Sequence, residues 1–112
     1  MAERLRPEGR IRRRAEYQRV FEEGRRRRGR LMTVFIVANS RQQSRLGIAA
    51  SRKLGSSVQR NRAKRLVREI FRRNRPAAAF DIVVVPKPEM LSAGLADLEA
   101  DYRSALGHRV HR

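Results

Sequence analysis

Residues 58–71 read V-Q-R-N-R-A-K-R-L-V-R-E-I-F, and the reading of this stretch decides the fold. Ala63, Leu66, Val67, Ile70 and Phe71 recur at i, i+3, i+4, i+7 and i+8, the stripe of a helix with one face in a core. Ser56 or Ser57, just after Gly55, is placed to cap this helix, which runs to about Arg73 before Pro76 closes it. Apolar segments stand on either side of it. L-G-I-A-A-S (46–51) reads as a strand, and D-I-V-V-V-P (81–86) as a buried strand with Asp81 first and Pro86 last.

The other side of the same helix is cationic. Stepping about 100° per residue from Ala63, the apolar residues fall between roughly 300° and 80°, while Asn61, Arg65, Arg68 and Arg72 fall at roughly 140° to 200°. Arg60 and Arg62 flank the helix start. A solvated helix gains from Glu–Lys pairs one turn apart. Here Glu69 alone stands against Arg60, Arg62, Lys64, Arg65 and Arg68. Such like-charge crowding is stable when phosphates relieve it. Of the 28 basic residues 25 are arginine, which favours planar, bidentate contacts to phosphates and bases. Asn61 adds an acceptor, which arginine lacks, for a base edge or a 2′-hydroxyl.

Working outward, Tyr17, Val20 and Phe21 mark a short helix over 12–23, with Gly24 to end it. G-R-R-R-R-G-R (24–30) is a basic loop with room for a short edge strand. L-M-T-V-F-I-V-A (31–38) is a strand, N-S-R-Q-Q-S-R (39–45) a polar turn, and 31–51 together read as a hairpin. Ser92 is the expected cap of a last helix that points Leu95, Leu98, Tyr102, Ala105 and Leu106 inward, with Gly107 beyond it. The order α-β-β-α-β-α predicts an α+β fold, a small two-layer sandwich with helices packed on one sheet. The whole chain, 1–112, reads as a single RNA-binding domain with a flexible arm at 1–10 and a flexible tail at 107–112.

The charge is far above what solubility needs and is concentrated. The net charge is +17; residues 1–75 hold 24 Lys/Arg against 6 Asp/Glu, and residues 76–112 hold 4 against 5. A polyanionic partner is expected. Cysteine is absent, which excludes disulfides and cysteine-based zinc sites. No apolar run suits a signal peptide or a membrane span, so a cytoplasmic protein without a membrane partner is expected.

The stretch Arg60-Asn61-Arg62, followed by Lys64-Arg65 and Arg68, resembles the hallmark of the bacterial ribonuclease P protein family. G-I-A-A-S-R-K-L-G (47–55) is similar to that family's strand and turn, E-Y-Q-R-V-F (16–21) to its first helix, and D-I-V-V-V-P-K-P (81–88) to the segment after its long helix. The likeness runs from about Arg10 to Leu106. It implies a mixed sheet with a left-handed β-α-β crossover, where the general rule is right-handed. It further implies a protein subunit that binds the catalytic RNA of ribonuclease P through Arg60, Asn61, Arg62, Lys64, Arg65 and Arg68. It also implies contact with the 5′ leader of precursor tRNA in a cleft between the first helix and the sheet. Hydrolysis is then the work of the RNA and its magnesium ions, in tRNA 5′ maturation.

A second surface supports this. Phe35 shares a strand face with Thr33 and Val37, and Gly47, Ala49 and Ser51 form a small-residue face on the strand expected beside it. Aromatic rings stack bases, and small residues let a backbone approach. Tyr17, Phe21 and Phe35 are therefore expected in the leader cleft, with Arg13, Ser51, Arg52 and Lys53 around it; core packing is the competing role for the aromatics. Two features depart from the family pattern: Ala49 stands where many relatives have a hydroxyl, and the arginines at 25–28 exceed what the family needs.

No residue set on the chain suits hydrolysis. His108 and His111 lie in the tail, and Asp97, Glu99 and Asp101 alternate at i, i+2 as solvated surface would. A small ribosomal protein binding rRNA is the alternative, sharing size and charge but needing one RNA face rather than two. A DNA-binding module is not expected, because no short helix and turn precede the basic helix as in a helix-turn-helix.

Overall fold

The computed structural model describes residues 9–76 and 78–107. Helix α1 spans Arg14–Glu23, strand β1 Arg25–Arg28, β2 Met32–Ala38, β3 Arg45–Ile48, helix α2 Ser57–Arg73, β4 Phe80–Pro86 and helix α3 Leu95–Leu106. Short 3₁₀ turns at Arg52–Leu54 and Pro88–Ser92 lead into α2 and α3. The expected α+β class and mixed sheet are what the chain forms. The strand order is β1-β2-β4-β3, with β3 and β4 parallel and the other pairs antiparallel.

The expected hairpin over 31–51 does not form, because β4 lies between β2 and β3. Ile82, Val83 and Val84 are buried on both faces of β4, and a strand apolar on both faces belongs in the interior of a sheet. The β3–α2–β4 crossover delivers it there. The hairpin that does form joins β1 to β2, pairing Arg25 with Ile36 and Arg28 with Thr33. Its turn is held from α3, where the Asp101 carboxylate accepts the Arg30 and Leu31 N–H groups, each at 3.0 Å. Asp101 is therefore an anchor rather than solvated surface. Glu99 also has structural work, accepting from Asn74 and pairing with Arg73 at 3.3 Å.

Two further expectations shift. Ser92 ends a 3₁₀ turn, and α3 starts after Gly94. Leu95 consequently lies on the exposed side of the first turn, while Leu98, Tyr102, Ala105 and Leu106 are buried as expected. Of the expected arm and tail, residues 1–8 and 108–112 lie outside the described residues. Arg10 is no part of a loose arm: it bridges in parallel to Leu46, and Ile11 N donates to Leu46 O at 2.9 Å.

Both sheet faces are covered, unequally. Met32, Val34, Leu46, Ile82 and Val84 pack with Ala63, Val67, Ile70 and Phe71 of α2 and with Leu98 and Tyr102 of α3. α1 lies on the opposite face over a smaller cluster of Ile11, Val20 and Val83, with Tyr17, Phe35, Val37, Ala49 and Val85 packed around it. Ser56 caps α2 by accepting from Gln59 N while the Gln59 side chain returns the contact to Ser56 N, a capping box. Gly55, at φ 139°, makes the turn before it in a conformation that side chains avoid.

A buried ionic network fastens α1 to the sheet. Arg45 grips Asp81 through two hydrogen bonds, Nε to Oδ1 at 2.9 Å and Nη2 to Oδ2 at 2.8 Å. Its third nitrogen donates to Glu16 of α1 at 2.9 Å, and Asn39 donates to Asp81 at 2.8 Å. Asp81 is only 1% exposed. Burial pushes the Asp81 carboxyl up, but the Arg45 and Asn39 hydrogen bonds and the Arg45 and Arg19 charges outweigh it and leave it below its ordinary value. The Arg45 hydrogen bond likewise lowers Glu16, against a smaller opposing effect of burial. Because both carboxyls titrate lower when folded than unfolded, the stability they contribute is present above their unfolded pKa and lost as pH falls through the folded one. Thermal melts should therefore show stability draining away below about pH 4. Asp81→Ala, which strands the Arg45 charge, should cost about 3–5 kcal/mol in a denaturant melt.

Candidate nucleic-acid interface

Helix α2 presents its cations in two differently paired halves. Toward its C-terminus Arg72 pairs with Glu69 at 2.6 Å and Arg73 with Glu99 at 3.3 Å. Toward its N-terminus Arg62, Lys64, Arg65 and Arg68 make no ion pair among the described residues. Asn61, Arg62 and Arg65 are exposed, and Lys64 and Arg68 half-buried. Arg60 is partly engaged in the fold: Nη1 donates to Gly55 O at 2.9 Å and Nη2 to Ser57 Oγ at 3.2 Å. It stiffens the helix start as well as adding charge.

Beside this row lies a cation pocket that the sequence reading missed. Arg10, Lys64, Arg68 and Tyr17 line a cavity of about 130 Å³ at the β3 edge of the sheet. Arg10 Nε is buried with no hydrogen-bond partner among the described residues. Burial, and after it the neighbouring Arg10 charge, hold Arg68 below the ordinary arginine value, against a smaller opposing effect of Tyr17. With three cations and no carboxylate in its lining, the pocket suits an anion such as a phosphate. The available signal was the pair Arg10-Ile11, an arginine beside an isolated apolar residue that needed burial.

The second surface is built by α1 crossing the sheet. Tyr17 sits over Gly47, where an added Cβ would come within 2.8 Å of the ring, and its hydroxyl accepts from Ile48 N at 3.2 Å. The glycine is thus required by close approach. Phe21 meets Phe35 edge-on, with ring centroids 4.9 Å apart and planes at 88°. Phe35, Val83 and Gly47 form one row across three strands; Phe35 is not adjacent to the small-residue strand, as had been expected. The next row, Thr33, Val85 and Ala49, is half-buried and floors a groove beside α1.

The structure thus brings Tyr17, Phe21 and Phe35 together along one wall. Tyr17 and Phe35 also pack against the Ile11, Val20 and Val83 cluster, the packing role expected as the competing one. Phe21, at 38% exposed, is the freest of the three rings. Ser51, Arg52 and Lys53 are exposed at the N-cap and in the 3₁₀ turn that follows β3. Arg13 is exposed at the N-cap of α1. Among the described residues no three histidine, aspartate or glutamate side chains converge as a divalent-cation site would need, and no helix is long and apolar enough to cross a membrane.

A mixed sheet with helices on both faces, a cation row on α2 and an aromatic-walled groove beside α1 suit a small α+β protein that binds nucleic acid. Residues 5–109 match the family model described as Ribonuclease P. The ribonuclease P protein component of Thermotoga maritima is 41% identical over 83 residues, covering 72% of this chain and 71% of that protein. That of Syntrophus aciditrophicus is 36% identical over 96 residues, covering 84% and 81%. The solved ribonuclease P protein of Staphylococcus aureus superposes with a TM-score of 0.76 at 30% identity, covering 88% of this chain and 92% of that one. The chain belongs to the family of bacterial ribonuclease P protein components, and its partner is accordingly an RNA. The ribosomal alternative is set aside.

The different anchoring of the three leading side chains gives a test. Arg62→Ala and Arg65→Ala should weaken RNA binding and leave the melting temperature unchanged. Arg60→Ala should weaken binding and also cost about 1 kcal/mol of stability through its lost hydrogen bonds. Filter-binding titrations and thermal melts of the three variants check this.

Proposed function

We propose that this chain is the protein subunit of a ribonuclease P holoenzyme, holding two RNAs on its two surfaces. The outer face of α2, through Asn61, Arg62, Lys64, Arg65 and Arg68 with Arg60 and the Arg10 pocket, binds the catalytic RNA. The groove between α1 and the sheet, lined by Tyr17, Phe21 and Phe35 and flanked by Arg13, Ser51, Arg52 and Lys53, binds the 5′ leader of precursor tRNA. The observation that carries the reading is the placement of those side chains: cations without an ion pair among the described residues, on a helix whose opposite side is core, beside an aromatic-walled groove floored by Thr33, Val85 and Ala49.

The chemistry follows from what each surface can do. Guanidiniums neutralise phosphates that would otherwise repel one another when two RNAs are brought together. Rings stack leader bases without reading their sequence. Hydrolysis itself would fall to magnesium held by the RNA, which would supply an activated water and charge at the scissile phosphate. The protein's part is to bind, orient and lower the magnesium needed. It works in the cytoplasm and has neither a membrane nor DNA as partner.

Cleavage of precursor tRNA by the isolated protein would sink this reading, whereas the protein added to the catalytic RNA should restore cleavage at low magnesium. Phe21→Ala tests the groove, because that ring is exposed enough to be removed without collapsing the core. It should weaken holoenzyme binding of precursor tRNA by about 1–3 kcal/mol and leave mature tRNA, which has no leader, unaffected. Equal losses on both substrates would assign the ring to packing.

A further inference from the structure

β1 is four consecutive arginines, Arg25–Arg28, all exposed, on the outer edge of the sheet. None of the four makes an ion pair among the described residues. Charges on an edge strand deter edge-to-edge pairing, but arginines on either face would serve that equally. The pairing register separates them. Arg26 lies opposite Phe35 and Arg28 opposite Thr33, whereas Arg25 and Arg27 lie opposite Ile36 and Val34. Partners across a ladder share a face. Arg26 and Arg28 therefore project on the α1 side, at the end of the rows that form the groove, and Arg25 and Arg27 project on the α3 side.

The groove consequently has cations at both ends. Arg52 and Lys53 stand at the β3 end, beside the 3₁₀ turn that leads into α2. Arg26 and Arg28 stand at the β1 end, and three inter-strand gaps, about 14 Å, separate β1 from β3. Successive same-face side chains on a strand are about 7 Å apart, a spacing that lets each arginine meet a separate phosphate.

We propose that Arg26 and Arg28 extend the leader groove, binding phosphates of the single-stranded 5′ extension farther from the cleavage site than those the aromatic wall serves. The inference rests on the leader-groove reading above. Its polarity comes from α2: the helix proposed to hold the catalytic RNA adjoins β3, with Arg68 and Lys64 in the pocket beside Leu46 and Ile48. A leader that leaves the RNA's active centre enters the groove at the β3 edge and exits over β1. The contacts are to phosphate, so they require leader length and not leader sequence.

The test uses the assembled holoenzyme and precursor tRNAs with leaders of about 2 and about 12 nucleotides, each of two unrelated sequences. The double variant Arg26→Ala with Arg28→Ala should lose about tenfold affinity for the long leaders, whatever their sequence. It should bind the short-leader substrates as the unsubstituted enzyme does. The slope of log affinity against log salt should fall by about 1.4 on long leaders, about 0.7 for each phosphate contact. Arg25→Ala with Arg27→Ala removes the same charge from the other face and should change neither quantity; melting temperatures establish that both variants fold. Equal loss on short and long leaders, or equal loss from both double variants, would overturn the inference and make β1 a general electrostatic patch. If the unsubstituted holoenzyme itself does not prefer leader-bearing tRNA, it is the groove reading that has failed. If it does, and the Arg26/Arg28 variant keeps that preference at every length, this inference alone falls.

Discussion

The buried contact of Arg45 with Asp81 and Glu16 sets where α1 can lie, and the groove is a consequence of that placement. Asp81 is the second residue of β4, Arg45 opens its parallel neighbour β3, and Glu16 belongs to the first turn of α1. An arginine with a buried side chain has to satisfy its donors inside the protein. Asp81 takes two nitrogens and Glu16 takes another, so the helix is held over the ends of β3 and β4. From there α1 crosses to Phe35 and leaves Thr33, Val85 and Ala49 only half covered. The Glu16 carboxylate also accepts from the Arg13 N–H at 3.2 Å, so the residue that docks the helix also organises its start.

α2 solves a different problem, carrying concentrated charge on a rigid support. Ala63, Val67, Ile70 and Phe71 are fully buried, so the helix axis and its rotation are set by packing rather than by the charges on its far side. Carboxylates from Glu69 and Glu99 relieve the repulsion near the C-terminal end. In the N-terminal half no carboxylate pairs with Arg62, Lys64, Arg65 or Arg68 among the described residues. Arg10 adds a third cation to Lys64 and Arg68 by adding its backbone to the edge of β3, a position available only because β3 ends the sheet.

The two surfaces adjoin along β3, so a chain of this size can offer both from one edge strand. One edge strand carries the phosphate pocket on its α2 side and the Tyr17 end of the groove on its α1 side. Gly47 makes this possible, since any side chain there would displace the Tyr17 ring. Membership of the ribonuclease P protein family gives the arrangement its biological setting, and the arginine strand at the opposite edge adds a local feature to it.

The sequence by itself determined the elements and the charge. The period of the apolar residues in 58–71 shows both faces of α2, because a helix's faces follow from spacing alone. The four motifs carried the family, and Tyr17, Phe21 and Phe35 were legible as a group because they are aromatic, and the structure brings them together. Strand adjacency was not legible. Residues 31–51 satisfy the pattern of a hairpin, but pairing is decided by which strand must be buried on both faces, and that requires comparing β4 with elements far away in the chain. The same limit hid Arg45, which reads as part of a polar turn until Asp81 is placed beside it, and Arg10, which reads as an arm until β3 offers it an edge. Asp101 looked solvated because its partners, the Arg30 and Leu31 N–H groups, lie 70 residues and more away in sequence. Local periodicity specifies which side of an element is apolar; only the packed sheet specifies which polar groups are left to satisfy one another.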